Sequence, residues 1–317
     1  MLLDLLLLIT GLVAVTFGAN WLTDGASAVA KRLGITEFMI GVTIVAVGTS
    51  LPELVVSITA AVTGNADLSV GNIIGSNICN IFLILGLTSI IVSIPLTRHN
   101  IKIDIPITIA VSILFAFLAK DSHYNPDNAD VISRLDGAIF LVLYIVFLIF
   151  MIKTSKEDTS SSEDSKPMKM WKASFFILIG LVALIAGGKF FVSGASGVAR
   201  ALGISDAVIG ITVVAVGTSL PELATSLVAA IKGKSSMAIG NVLGSNIANI
   251  LLIMGASATV SPLYLNDISV IDFAVMLSAP VLLLVFPAVF RTERISRAEG
   301  ILFLSIYVGY TIFLIIH

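Results

Sequence analysis

Charged residues, cysteine and histidine are all scarce in this chain. Charged residues make up 12% of the 317 residues, whereas soluble globular domains carry roughly 25%. A single cysteine, Cys79, excludes a disulfide within the chain, and no cluster of Cys and His offers a zinc site. The formal net charge of −2 provides no basic surface, so no nucleic-acid partner is expected.

Apolar residues are abundant instead, at 57% of the chain with a mean hydropathy of +1.07. Runs of about 20 apolar residues are long enough to cross a bilayer as helix. The N-terminal run has Asp4 where a cleaved signal peptide would carry Lys or Arg, so it counts as the first span. The sequence predicts an all-α integral membrane protein with ten spans, at 2–21, 38–62, 68–92, 101–119, 135–153, 171–192, 207–231, 237–260, 267–290 and 298–316.

The ten spans fall into two related halves. A shift of 169 positions maps Glu53 onto Glu222, and 27 of the 46 residues in 41–86 are identical to their partners in 210–255. Near the end of each half, "SRLDGAIFL" at 133–141 matches "SRAEGILFL" at 296–304, a shift of 163. The repeat is therefore the whole five-helix half.

A Ser-rich and charged stretch separates the halves and is typical of a flexible linker. The predicted division is a first repeat at 1–153, a linker at 154–170 and a second repeat at 171–317. Because each half has five spans, the second must be inverted relative to the first. Inverted repeats with interrupted helices are typical of secondary transporters.

Lys and Arg residues predict the orientation in the membrane. Fourteen of them fall in the connections on one side, which include the linker, and three fall on the other side. Since cytoplasmic loops carry the excess of positive charge, the linker is expected in the cytoplasm and both termini outside the cell membrane.

The heptapeptide "GTSLPEL" occurs at 48–54 and again at 217–223, inside apolar runs. Pro52 lacks an N–H, so the carbonyl of Gly48 loses its helical partner at that point. Thr49 and Ser50 place hydroxyl oxygens beside the break, and Glu53 adds a carboxylate. The second copy repeats the pattern with Thr218, Ser219, Pro221 and Glu222. Carboxylates, carbonyls and hydroxyls are the ligands of hard cations such as Na⁺ and Ca²⁺.

A second pair of motifs, "GNIIGSNICN" at 71–80 and "GNVLGSNIAN" at 240–249, combines GxxxG helix packing with polar side chains. Ser76 and Asn80 are four residues apart and therefore lie on one helix face, and the same holds for Ser245 and Asn249. They offer neutral oxygens. For Asn72, Asn77, Asn241 and Asn246, bridging of helices or satisfaction of broken backbone is as strong a hypothesis as ligation. Cys79 has Ala248 as its counterpart, which favours packing.

The paired motifs hold two carboxylates, Glu53 and Glu222, and no Lys or Arg. Such a pair carries a charge of −2 in a low-dielectric setting, which is strongly disfavoured unless neutralised. One Ca²⁺, two Na⁺ or two protons would neutralise it. We therefore expect an exchanger that moves only when it is loaded.

The paired "GTSLPE" and "GSNICN/GSNIAN" segments resemble the two alpha-repeats of the sodium/calcium exchanger family, and the resemblance covers nearly the whole chain. It implies export of Ca²⁺ against entry of Na⁺ by alternating access, with the first and sixth helices sliding over the other eight. It implies no enzymatic activity, no cofactor and no obligate protein partner. The calcium ligands it implies are Glu53, Glu222, Thr49, Thr218 and the carbonyls of Ala46 and Ala215, and the sodium ligands are Ser50, Ser76, Ser219 and Ser245.

Some relatives, including potassium-dependent exchangers, carry Asp at one of the two positions that are Asn80 and Asn249 here. Two carboxylates rather than three indicate exchange that does not require K⁺. A cation/proton antiporter of the same superfamily stays open as the alternative, because paired carboxylates can carry protons. The many neutral hydroxyl and amide oxygens favour sodium, since a proton needs no coordination shell.

Overall fold

A computed structural model of the protein describes residues 1–120, 130–154, 168–203, 215–290 and 292–316. The described chain is almost entirely helical. Its helices are α1 Leu2–Leu33, α2 Glu37–Thr49, α3 Leu51–Val62, α4 Ala66–Ile91, α5 Asn100–Leu118, α6 Arg134–Thr154, α7 Met170–Ala201, α8 Ala215–Thr218, α9 Leu220–Ile231, α10 Ser235–Val260, α11 Val270–Phe290 and α12 Arg297–Ile316.

Eight of the described helices are long and apolar enough to cross a membrane, and α2 with α3 forms a ninth, bent span. They correspond to nine of the ten predicted spans. Of the remaining span, 207–231, the described part is α8 and α9, while 207–214 lies outside the described residues. The protein is thus an all-α, multi-pass membrane protein.

The first and sixth predicted spans, 2–21 and 171–192, are shorter than the helices that contain them. Helices α1 and α7 have 32 residues each and continue well past the apolar runs. The hydropathy falls at Asn20 and Asp24, but the small residues that follow still pack as helix. Helix α1 ends only at Gly34, whose φ of 64° is left-handed and whose N–H donates to the carbonyl of Ala30.

Helices α1 and α7 pack against each other along glycines spaced seven residues apart. On α1 these are Gly11, Gly18 and Gly25, and on α7 they are Gly180, Gly187 and Gly194. A Cβ placed on Gly18 would lie 2.8 Å from the carbonyl oxygen of Gly180, and a Cβ on Gly180 would lie 2.8 Å from that of Gly18. The missing side chains therefore let the two backbones touch.

Helices α4 and α10 lie at the centre of the molecule and carry the second pair of motifs. Almost every residue of α10 from Met237 to Met254 is buried. Each helix contains a π-helical segment, Cys79–Leu85 in α4 and Asn249–Met254 in α10. Such segments are rare and occur frequently at functional sites.

Two short antiparallel ribbons join the halves, and they show the internal symmetry. Strand β1 (Ile94–Pro95) pairs with β4 (Arg294–Ile295), and β2 (Val131–Ile132) pairs with β3 (Leu263–Tyr264). The sequence shift of 169 carries Ile94 onto Leu263, and the shift of 163 carries Val131 onto Arg294. Exchanging the halves therefore turns one ribbon into the other, as a two-fold axis between inverted repeats requires.

Four acidic residues lie near helix starts, where a carboxylate can cap the helix or face water. Asp136, Asp272 and Glu299 do cap, since each accepts the backbone N–H of the serine three residues earlier. Asp104 is buried instead. It is 3% exposed, and its Oδ2 accepts a hydrogen bond of 2.9 Å from Asn100 Nδ2, within a π-helical segment at Asn100–Asp104.

Candidate ion site

The two "GTSLPEL" segments break their helices at the serine. Helices α2 and α3 meet at Ser50 with a bend of 49°, and Pro52 is the second residue of α3. Ser50 has φ −82° and ψ 9°, and Ser219 in the second copy has φ −86° and ψ 7°. The same local sequence thus produces the same interruption twice.

The two glutamates lie at these breaks and are withdrawn from solvent. Glu53 and Glu222 are each 1% exposed, which excludes an extended side chain that reaches the surface. Ser50 Oγ donates to Glu222 Oε1 at 2.8 Å, and Ser219 Oγ donates to Glu53 Oε1 at 3.3 Å. Each serine therefore bonds to the glutamate of the other half, so the two motif copies meet in space.

Several side-chain oxygens of the four motifs have no hydrogen-bond partner among the described residues, although they are buried. These oxygens are Glu53 Oε2, Glu222 Oε2, Asn80 Oδ1, Asn249 Oδ1 and Ser245 Oγ. Buried polar atoms are normally satisfied, so an unpartnered group calls for an explanation such as a bound ion. Apart from the Ser245 hydroxyl, all of them can only accept, which suits a cation.

Of the remaining predicted residues, Thr49 contacts the second pair of motifs through Asn241. Thr49 is fully buried, and its hydroxyl lies within bonding distance of the carbonyls of Val45 and Ala46 and of Asn241 Oδ1. The Ala46 carbonyl also accepts the N–H of Ser50 at 3.0 Å. Ser76 is 5% exposed, and Ala215 and Thr218 lie in α8.

Sequence reasoning missed two serines one turn beyond the glutamates. Ser57 Oγ accepts from Asn72 Nδ2 at 2.9 Å, and Ser226 Oγ accepts from Asn241 Nδ2 at 2.9 Å. The same amides lie 3.4 Å from the backbone carbonyls of Glu53 and Glu222. The signal was available, because Ser57 and Ser226 are identical residues separated by the repeat shift of 169.

Within the described part of the chain no three His, Cys, Asp or Glu side chains form a metal-binding group. The site instead combines two carboxylates with neutral oxygens. Ligands of this kind suit hard cations, and a site with so little charge suits an ion that must leave again.

The sodium/calcium exchanger protein family matches residues 3–153 and 172–316, which is nearly the whole chain. The chain belongs to this family. Its relatives include a sodium/calcium exchanger, MaX1, of Methanosarcina acetivorans, which is 32% identical over 98% of both chains. A putative antiporter, CaxA, of Alkalimonas amylolytica is 37% identical, also over 98% of both chains.

Solved structures agree with the sequence comparison. A structure of the sodium–calcium exchanger NCX_Mj soaked without Na⁺ and Ca²⁺ superposes with a TM-score of 0.84 at 35% identity, covering 99% of each chain. A second structure of that exchanger, soaked with 2.5 mM Na⁺ and 0.1 mM Ca²⁺, gives a TM-score of 0.82 at 34% identity and covers 97% of each chain. The fold is therefore that of a sodium/calcium exchanger with two inverted repeats, of which the described residues supply nine spans and, in α8 and α9, part of the tenth.

Proposed function

We propose that this protein is a secondary antiporter that exchanges Na⁺ for Ca²⁺ across a membrane by alternating access. The observation that carries the proposal is the pair Glu53 and Glu222. They come from opposite halves, are almost fully buried, and each keeps one carboxylate oxygen without a partner among the described residues. The family and the solved relatives support the same function.

Charge explains why such a site exchanges ions rather than leaks them. The two carboxylates are −2 when ionised, and one Ca²⁺ or two Na⁺ neutralise them. Unpaired charge in a membrane interior is strongly unfavourable. The protein with an empty site therefore does not readily change between the conformations that open to the two sides of the membrane. Each loaded form can cross, and net movement of one ion then requires return of the other.

The ligands follow the two-fold arrangement. We assign Ca²⁺ to Glu53 and Glu222, with the hydroxyls of Thr49 and Thr218 and the carbonyls of Ala46 and Ala215 completing its shell. Sodium takes the flanking oxygens of Ser50, Ser76, Ser219, Ser245, Asn80 and Asn249. The Ala46 carbonyl already accepts hydrogen bonds from the Thr49 hydroxyl and the Ser50 N–H. For this carbonyl to bind Ca²⁺, the Thr49 hydroxyl must turn away from it and toward the ion.

The exchange is K⁺-independent in this proposal. Asn80 and Asn249 are neutral, so the paired motifs hold two negative charges, and Ca²⁺ balances them without a further monovalent ion. Removal of K⁺ from both sides of the membrane leaves the exchange rate unchanged.

The chain resides in the cell membrane with both termini outside and the linker 154–170 in the cytoplasm. Its functional division is a repeat at 1–153 and an inverted repeat at 171–317. The distribution of Lys and Arg supports this orientation, and the exchange of one ribbon for the other between the halves supports the division.

Reconstitution into liposomes tests the function. Vesicles loaded with Na⁺ and diluted into Na⁺-free medium take up ⁴⁵Ca²⁺, whereas vesicles with a proton gradient alone do not. Protein-free vesicles give the leak, and K⁺-free buffers test the potassium statement. Uptake driven by the proton gradient alone would refute sodium coupling in favour of a Ca²⁺/H⁺ antiporter, and collapse of uptake without K⁺ would refute K⁺ independence.

A further inference from the structure

Four asparagines cross-connect α4 and α10 where the two halves meet. Asn80 Nδ2 donates to Asn246 Oδ1 at 2.9 Å, and Asn249 Nδ2 donates to Asn77 Oδ1 at 3.0 Å. All four side chains are at most 2% exposed. In both bonds the donor is an asparagine of the predicted ion site and the acceptor is an asparagine of the other half, whose function the sequence left open.

The orientation of the two accepting amides is fixed by the backbone. Asn246 Nδ2 lies 3.4 Å from the backbone carbonyl of Asn77, and Asn77 Nδ2 lies 3.4 Å from that of Asn246. A backbone carbonyl can only accept, so it selects the NH₂ end of each amide. The oxygen end of each is then left to face the neighbouring amide.

The orientation of Asn80 and Asn249 follows by the same argument. Because Asn246 and Asn77 present oxygen, Asn80 and Asn249 must turn their NH₂ groups toward them. Their own Oδ1 atoms are thereby directed away, and both are buried without a partner among the described residues. An asparagine can present either oxygen or NH₂ to its surroundings, and only the oxygen end attracts a cation.

We propose that Asn77 and Asn246 are positioning residues of the ion site. Each holds the amide of one asparagine in the opposite half, Asn249 and Asn80 respectively, so that its carbonyl oxygen rather than its NH₂ group faces the transported cation. This inference rests on the proposed function, since it concerns how that cation is bound. It predicts which residues are coupled: Asn80 with Asn246 and Asn249 with Asn77, across the halves.

The test is a double-mutant cycle read by cation binding. The purified protein is titrated with Na⁺ in detergent, and the rise in melting temperature gives an apparent Kd for Na⁺. Asn80→Ala and Asn246→Ala each weaken binding by roughly tenfold, the effect of one lost ligand. The double variant binds the cation no more weakly than Asn80→Ala alone, because Asn246 acts only through Asn80.

The matched control combines neighbours from the same motif. Asn246→Ala with Asn249→Ala weakens binding by the product of the two single effects, roughly a hundredfold, since Asn249 is held by Asn77. If Asn246→Ala does not fold, the Asn77 and Asn249 pair gives the same cycle from the other half.

The outcomes separate this inference from the proposed function. A wild-type protein whose melting temperature responds to Na⁺ but not to Ca²⁺ would contradict the calcium substrate, and the Na⁺ cycle would still test the positioning role. Additive effects of Asn80→Ala and Asn246→Ala with the cation that binds would overturn the positioning role. They would leave Asn246 as a structural contact between helices, without touching the assignment of the substrate.

Discussion

At the scale of single residues, the proposed ion site combines two carboxylates with neutral oxygens. Glu53 and Glu222 supply the charge, and each is held at one oxygen by the serine of the opposite half. The amides and hydroxyls around them add oxygen without adding charge. Two unit charges about 4 Å apart interact by about 4 kcal/mol at an effective dielectric constant near 20, so each carboxylate dominates the binding of a cation.

Replacement of either glutamate by glutamine therefore removes most of the transport. Glu53→Gln and Glu222→Gln keep the shape but lose one charge each, and we expect sodium-driven ⁴⁵Ca²⁺ uptake to fall by roughly a hundredfold or more. Glu293→Gln is the control, because that side chain is 67% exposed at a ribbon. Wild-type uptake in either site variant would show that the ligand assignment is wrong.

At the scale of helices, the break at Ser50 places the glutamate. Pro52 cannot donate to the carbonyl of Gly48, and helix α3 starts afresh at Leu51. The first turn of this new helix carries Glu53, where backbone N–H groups favour a negative charge. The break thus both frees backbone oxygen and stabilises the carboxylate.

Restoring the missing donor should impair transport more than folding. Pro52→Ala supplies an N–H that can bond to Gly48 and so favours a straighter helix. We expect the melting temperature to change little, since proline early in a helix contributes less than about 1 kcal/mol, while Ca²⁺ uptake falls severalfold. Pro280→Ala, at a proline inside α11, should leave Ca²⁺ uptake unchanged. Equal effects of both variants on uptake would contradict this role of the break.

The contact between α1 and α7 is a second feature of helix scale. It depends on glycine, because a Cβ at Gly18 would lie 2.8 Å from the carbonyl of Gly180. Gly309 in α12 is also in a helix, but a Cβ there would meet no atom within 4 Å. The two positions therefore separate helix propensity from close packing.

Alanine at these two glycines should act in opposite directions. Gly309→Ala gains helix propensity of up to about 1 kcal/mol and should raise the melting temperature slightly. Gly18→Ala forces the backbones apart, and overpacking of this kind destabilises by about 1–3 kcal/mol, so the melting temperature should fall. Thermal unfolding in detergent measures both. A Gly18 variant as stable as the wild type would mean that α1 and α7 can separate without loss.

At the scale of the whole molecule, the inversion of the halves brings the four motifs to one place. Each ribbon joins a connection of the first half to a connection of the second. By the predicted topology, the β1–β4 ribbon is cytoplasmic and the β2–β3 ribbon is outside. The proposed ion site draws on both halves, since Ser50 bonds to Glu222 and Ser219 bonds to Glu53.

Cysteine labelling tests this orientation. Cys79→Ala gives a cysteine-free chain, and Ala248 shows that alanine fits the corresponding position in the other half. In that background, a membrane-impermeant maleimide should label Asp267→Cys in intact cells and Glu293→Cys only in inside-out vesicles, since both positions are exposed. The reverse pattern would invert the assignment of the termini.

The fold class and the repeat could be predicted because they depend on composition and on repeated local sequence. Apolar runs determine spans, and proline with a nearby glutamate determines a broken helix with buried charge. Helix ends were less predictable, because α1 and α7 continue through polar residues that only their mutual packing stabilises. Asp104 is likewise buried within a π-helical segment, which no local sequence pattern predicts.

The sequence by itself determined that two glutamates, two broken helices and a set of neutral oxygens would occur in matched copies. Only the tertiary structure decided that each serine bonds to the glutamate of the other half, and that Asn246 and Asn77 orient Asn80 and Asn249. Local sequence sets which groups a helix offers. The partner across a two-fold axis is far away along the chain, so the contact that orients each group exists only when both halves have packed together.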